Sequence, residues 1–292
     1  MNSPNRYAFC IIAHSQPELF KLLLRQIDHP ENEIYVMIDK KTDINLFAST
    51  ELKYSKIYFC KKRINIKWGE YSQVMAEIEL FKFATSFGEH DYYHLLSGQD
   101  LLIKPVDSLN QYIKANTGHE FLGFRNYYDG KESVDYRLKY FHFHPHFCRS
   151  RNMLLKLIYK IPLKFQQLIG YHRKYPKSLQ MGSNWCTITQ SFVHLILKQE
   201  KIIRKTFRYA LCCDELYKQF IAIQNDLFNR CDTLTFNGTD SIRKIDWERG
   251  RPYVWDICDL QELKHTHRFI ARKFDSKNNQ LLEAIMRYSL CE

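Results

Sequence analysis

A chain of 292 residues with 45% hydrophobic and 26% charged side chains has ordinary globular composition and length for a sizeable core. Ten Gly and eight Pro argue against long linkers or low-complexity segments, and the lack of an uninterrupted apolar run of about 18 residues argues against a membrane span. The formal net charge of +11 points to an anionic partner: nucleic acid, a diphosphate or an acidic membrane surface.

Residues 7–13 (YAFCIIA) read as a buried strand. Ser15 stands three residues before Glu18 with Pro17 between them, the pattern of a capping box, and Leu19, Leu22, Leu23 and Ile27 follow at helical spacing. Residues 33–39 (EIYVMID) form a second strand ending in a carboxylate, and residues 56–60 a shorter third. A helix is predicted over 71–86, with Val74, Ile78 and Phe81 on one face. The strand at 92–96 runs out into Ser97-Gly98-Gln99-Asp100, and a helix near 107–115 and a strand at 120–124 follow. Such alternation implies an α/β fold with a mostly parallel sheet covered on both sides. Ligands then bind beyond the carboxyl ends of the strands, which draws attention to His14, Asp39 and the 97–100 turn. A single domain is expected, with residues 1–124 as a nucleotide-sugar-binding half and 125–292 as an acceptor and catalytic half.

The second half is less regular. His142, His144 and His146 alternate in FHFHPH, as on one strand face. Zinc would want a fourth ligand and Pro145 interrupts the segment, so a polar strand edge is the expectation and no metal site is assigned. Residues 148–180 hold eight Lys or Arg and no acid, interleaved with Leu154, Leu155, Ile158, Leu168 and Ile169. That pattern fits an anionic membrane surface, against the plainer reading of an amphipathic helix packed on its own domain. No nucleic-acid-binding signature accompanies it. A strand at 185–189, a helix at 191–198 and the acid pair Asp214-Glu215, opening another helix, come next. The nine Cys lack paired CxxC spacing, which with no evident signal peptide fits buried thiols in a reducing cytosol. Of 19 Tyr and 20 Phe, most fill the core and a minority are candidates to line a groove for a sugar face.

Asp39 and Asp100 end strands, where a carboxylate can merely cap a turn; two at neighbouring ends favour a ligand. Asp100 lacks the acid two positions earlier that would make a metal-binding pair, because that position is Gly98. Asp214-Glu215 could be helix N-terminal charge, or supply a general base for an acceptor hydroxyl. Arg243, Arg249, Arg251, Arg268, Arg272 and Lys273 form a basic tail able to neutralise a diphosphate leaving group without a metal.

AFCIIAHSQPELFKLLLRQIDHPENEIYVMIDKK, KWGEYSQVMAEIEL, DYYHLLSGQDLLIK, GSNWCTIT, CDELY, RKIDWERG and FIARKFD together, in that order, give a chain that resembles the core-2/I-branching β-1,6-N-acetylglucosaminyltransferases and the related peptide O-xylosyltransferases, in the compact form found in bacteria. The resemblance implies a GT-A-type fold and inverting, metal-independent transfer from a UDP-sugar, with N-acetylglucosamine expected and xylose or another sugar as the alternative. It implies Glu215 as catalytic base, and Lys273 with Arg251 or Arg243 as the diphosphate cations. Ala13, His14, Asp39 and Trp68 fall on the uridine side, Asp100 orients sugar hydroxyls, and Trp247, Trp185 and Arg137 fall on the acceptor side. The chain departs from eukaryotic members in lacking an anchor, stem and disulfide pattern, in carrying Cys213 where a proline often precedes the acid pair, and in matching poorly over 125–180. The implied setting is cytoplasmic assembly of a bacterial surface polysaccharide, on a glycan or lipid-linked acceptor at the inner membrane. The competing class is a non-enzymatic basic protein that binds anionic membrane or nucleic acid.

Overall fold

The computed structural model describes residues 6–47, 51–125, 133–176, 179–232, 234–235 and 239–291. In chain order the elements are β1 (Tyr7–Ala13), α1 (Pro17–Gln26), β2 (Asn32–Ile38), β3 (Lys56–Phe59), α2 (Ser72–Thr85), β4 (Tyr92–Ser97), β5 (Leu101–Leu102) and α3 (Val106–Ala115). They continue with β6 (Phe124–Arg125), α4 (Val134–Lys139), α5 (Met153–Leu168), β7 (Cys186–Thr189), α6 (Gln190–Lys198), α7 (Glu200–Phe207) and α8 (Tyr217–Gln224). The last are β8 (Leu234–Thr235), β9 (Arg243–Ile245), α9 (Leu260–His265), β10 (Ile270–Arg272) and α10 (Asn279–Ser289).

The central sheet has the order β3-β2-β1-β4-β7, parallel except for β7, which runs against β4. Alternation along its strands sorts side chains into two cores. Ala8, Cys10, Tyr35, Met37, Tyr93 and Leu95 pack on one face with Val74, Phe81, Phe192 and Phe220 from α2, α6 and α8. Phe9, Ile11, Ile34, Val36 and Leu96 pack on the other with Leu19 and Leu23 of α1, Ile113 of α3 and Leu281 of α10. Both faces are therefore dry, which is why these strands read as continuous apolar runs. A second sheet, β5-β10-β9, brings the C-terminal tail back beside the turn that follows β4. This is the mixed α/β architecture, with a mainly parallel sheet flanked by helices, that the sequence implies.

Three local expectations are corrected. No side chain caps α1: Gln16 precedes it in a left-handed conformation (φ 55°) and its Oε1 accepts from Ser276 N–H at 2.7 Å, while Glu18 pairs with Lys21. The Ser15–Glu18 capping box thus gives way to a tie between the start of α1 and the C-terminal tail. The strand expected at 120–124 shrinks to β6, because Glu120 bridges to Cys231 and Phe121 to Thr187, different partners on different elements. The three histidines do not share a strand face: His142 is buried between Tyr159 Oη (3.1 Å) and the Tyr136 carbonyl (3.0 Å), and a short 3₁₀ turn begins at Pro145.

Candidate active site

At the carboxyl edge of the sheet, the Ala13 carbonyl accepts the Asp39 N–H at 2.9 Å, locking the ends of β1 and β2 together. The buried Asp39 carboxylate accepts from Lys41 N–H at 3.0 Å and faces the Lys41 ammonium at 3.4 Å. His14 is solvent-accessible yet crowded. Partial desolvation holds its imidazole below the usual histidine range; Asp39 opposes the effect, while Lys273, Arg272 and Lys41 reinforce it. The fold therefore gathers Ala13, His14 and Asp39 with the two tail cations, although more than 230 positions of sequence intervene.

The 97–100 turn is the hinge of this arrangement. Asp100 is buried; one carboxylate oxygen accepts from Ser97 N–H at 2.8 Å and the other from Arg272 Nη1 at 2.6 Å. Arg272 Nη1 also reaches Ser97 Oγ at 2.5 Å, and its guanidinium lies 4.5 Å from the centre of the Trp185 ring. In this structure Asp100 holds Arg272, a task added to the expected one of orienting sugar hydroxyls. Gly98 explains the missing second acid: a Cβ there would stand 2.8 Å from Ala13 Cβ, so a carboxylate side chain has no room. Lys273 follows β10, its backbone tied to Trp255 and Tyr253. Partial burial and then the neighbouring Arg272 hold its ammonium below the usual lysine range, with Asp275 opposing.

Glu215 stands on the other side. Asp214 and Glu215 lie in a 3₁₀ turn (Cys213–Glu215) just ahead of α8, rather than in the first turn of the helix. Glu215 is partly exposed and pairs with Arg137 Nη1 at 2.5 Å, so Arg137 is a partner of the candidate base and not an acceptor contact in this state. Burial works against the charge on Arg137, but Glu215 together with Cys212 and Asp214 outweighs it and holds the guanidinium above its ordinary range. Asp214 is buried, accepts from Gln73 Nε2 at 2.9 Å, and is pushed up to about 7, by burial first and then by Glu215 and Glu77. Beneath it, Glu77 takes hydrogen bonds from Lys218 Nζ (2.5 Å) and Tyr217 Oη (2.7 Å) in full burial.

The two halves of the site are joined by residues 182–185. Gly182 N–H donates to the Glu215 carbonyl at 3.0 Å, and three residues later Trp185 meets Arg272. Three residues of chain span at most about 11 Å, so this short segment ties the backbone of the Glu215 turn to the ring that Arg272 stacks on.

Other expected residues fall elsewhere. Arg243 is buried and consumed: Nη1 meets Asp240 at 2.5 Å, and Nη2 meets the Cys186 carbonyl at 2.6 Å and Thr187 Oγ1 at 2.9 Å. It braces β9 against β7 and is withdrawn as a diphosphate cation. Arg251 is exposed in the segment after β9. The residue that sequence reasoning left unassigned is Arg272; its signal was the adjacency of two cations, Arg272-Lys273, at the end of a short apolar strand. Trp68 is partly exposed, with Arg149 stacked on its ring 3.4 Å from the centre. Trp247 is partly buried and its Nε1 is an orphaned donor among the described residues. Glu70 Oε1 meets His146 Nδ1 at 2.6 Å and His144 Nδ1 at 3.7 Å, and this trio is the group of described residues that could hold a metal ion. It is built on different elements from the phosphate-side cations. A cavity of ≈ 730 Å³ near Tyr7, Tyr92 and Lys114 opens at the amino ends of β1 and β4, opposite to the site.

A mainly parallel sheet with β3-β2-β1-β4 in that order, and with His14, Asp39, Asp100, Arg272 and Lys273 gathered beyond its carboxyl ends, makes this an α/β protein whose polar residues lie where such sheets bind ligands. The family model described as Core-2/I-Branching enzyme matches residues 7–278, and the chain belongs to that family. Among curated proteins it is 23% identical to human Xylosyltransferase 2 over 317 residues, covering 98% of this chain and 34% of that protein. It is also 23% identical to Xylosyltransferase oxt of Drosophila melanogaster over 288 residues, covering 88% of this chain and 30% of that protein. The chain therefore spans about a third of the length of these relatives. Mouse Xyloside xylosyltransferase 1 in its apo form aligns with 94% of this chain and 99% of its own at a TM-score of 0.41 and 9% identity.

Proposed function

We propose that the chain catalyses inverting transfer of a sugar from a UDP-sugar to a hydroxyl of a glycan acceptor, with no divalent cation at the diphosphate. The observation that supports this reading is the Asp100–Arg272–Lys273 arrangement beside Gly98: the turn has no room for a second acid, and Arg272 and Lys273 lie next to it as cations that can neutralise a diphosphate. In the proposed step, Glu215 takes the proton of the acceptor hydroxyl. The hydroxyl oxygen attacks the anomeric carbon on the face opposite UDP, the bond to the diphosphate oxygen breaks, and the charge left there is stabilised by Lys273 and Arg272. Arg137 must then yield Glu215 to the acceptor, or hold it ionised while the second carboxylate oxygen accepts the proton. Asp39, His14 and Trp68 hold the uridine. Trp185 and the unpaired indole N–H of Trp247 line the sugar side.

N-acetylglucosamine is the proposed donor sugar from family membership. The names of the xylosyltransferase relatives favour UDP-xylose as the second reading. Cytoplasmic assembly of a bacterial surface polysaccharide, on a glycan or lipid-linked acceptor, is the proposed setting. The test is titration with UDP followed by a screen of UDP-sugars for slow hydrolysis in the absence of acceptor. Binding of UDP with turnover of one donor is expected. Failure to bind UDP returns the chain to the class of non-enzymatic basic binding proteins.

A further inference from the structure

Helix α5 is the least satisfied element of the molecule. Of its sixteen residues only Tyr159, Leu163 and Gln166 are buried, at a spacing that anchors one narrow face to the domain. Tyr159 bonds to His142, and Gln166 bonds to both backbone groups of Phe141, at 2.8 and 3.0 Å. The opposite face is apolar and open to solvent. Leu154, Leu157, Ile158, Ile161, Phe165 and Leu168 recur at i, i+3, i+4, i+7, i+11 and i+14, and Leu168 is 85% exposed. Nine of the twenty exposed large hydrophobic residues described lie within residues 153–171, a concentration that a protein surrounded only by water does not maintain.

The charges explain what covers this face. Lys156, Lys160 and Lys164, spaced i, i+4, i+8, run as one stripe along the border between the buried and the apolar faces, and no acid occurs anywhere in 148–180. A second protein copy would match an apolar stripe, but an unrelieved cationic border repels its own duplicate. An anionic lipid surface satisfies both features: the apolar side chains enter the acyl boundary, and the lysine stems lie along it with their ammonium groups among the headgroups. Sixteen helical residues span only about 24 Å, short of the hydrocarbon core, and no described helix is long and apolar enough to cross a membrane.

We infer that α5 is an in-plane membrane-docking helix, which seats the domain on an anionic bilayer through Leu154–Leu168 with Lys156, Lys160 and Lys164 at the headgroups. The 3₁₀ turn at Pro145–Arg149 packs against α5 and carries Arg149 onto Trp68, so the docked face adjoins the candidate cleft. This inference does not rest on the transfer reading, because its test involves no turnover.

The unaltered chain is mixed with vesicles of phosphatidylglycerol and phosphatidylcholine, or of phosphatidylcholine alone, and sedimented at low and high salt. Binding to the anionic vesicles, weakened by salt, is expected. The double variant I161E/F165E should lose at least tenfold in partitioning, and replacement of all three lysines by Gln about as much or more. Unchanged melting temperature and circular dichroism would show both variants to be folded. Absence of binding to anionic vesicles, or equal binding by the I161E/F165E variant, overturns the inference. So does a concentration-dependent dimer, seen by light scattering, that the double variant abolishes while vesicles are ignored.

Discussion

Glu215 and Arg272 are the side chains on which the transfer reading turns, and each has a distinct signature. Glu215→Gln keeps the hydrogen-bonding shape but cannot take a proton, so transfer should fall by about 10²–10⁴ with UDP affinity retained; near-normal turnover removes Glu215 from the mechanism. Arg272→Ala withdraws a donor from the leaving group and should cost about 10²–10³ in kcat. If Asp100 acts only by holding Arg272, Asp100→Asn should lower kcat in the same direction by less, with KM for acceptor unmoved. Asp214 gives a pH signature. Its folded value of about 7 lies above the ordinary aspartate value of 3.8, so the native state holds a proton that the unfolded chain releases between those values. The stabilisation it contributes is complete below about pH 4 and is lost as pH rises through 7. Asp214→Asn should therefore gain melting temperature relative to the unaltered protein between pH 5 and pH 8, and a constant difference over that range contradicts the shift.

Short elements position this site more than long ones do. Gly182 shows why: a Cβ there would fall 1.9 Å from the Gly123 carbonyl oxygen and 2.6 Å from Gln219 Nε2. Gly182→Ala must push the 182–185 segment off Glu215 and Trp185, and it should reduce both stability and kcat, read by thermal melt and by turnover. The Glu77–Lys218 pair plays the same part under the acid turn. Lys218→Met leaves a buried carboxylate uncompensated and should cost about 3–5 kcal/mol in chemical denaturation. Periodicity made the long elements readable: α2 departs from its expected bounds by one residue at each end, and β1 matches at both. It failed at Ser15–Glu18 and at 120–124, where local propensity lost to distant partners, Ser276 in one case and Cys231 with Thr187 in the other.

For the whole molecule, the sharpest prediction is that activity survives excess EDTA, assayed by UDP release; strict dependence on added Mn²⁺ would overturn the cation-for-metal reading. Continuous apolar runs separated by helical patterns were sufficient, by themselves, to determine the mainly parallel α/β sheet and to point at the strand ends carrying His14, Asp39 and Asp100, because burial of both sheet faces leaves that imprint on any sequence. Ordered motifs carried Glu215 and Lys273. What only the tertiary structure decided is which charges are available. Arg243 and Arg272 are equivalent in sequence, yet one is buried bracing two strands and the other is held by Asp100, partly exposed, at the carboxyl end of β4. The partners of these two arginines lie up to 175 positions away along the chain, and no local pattern encodes a partner at that distance.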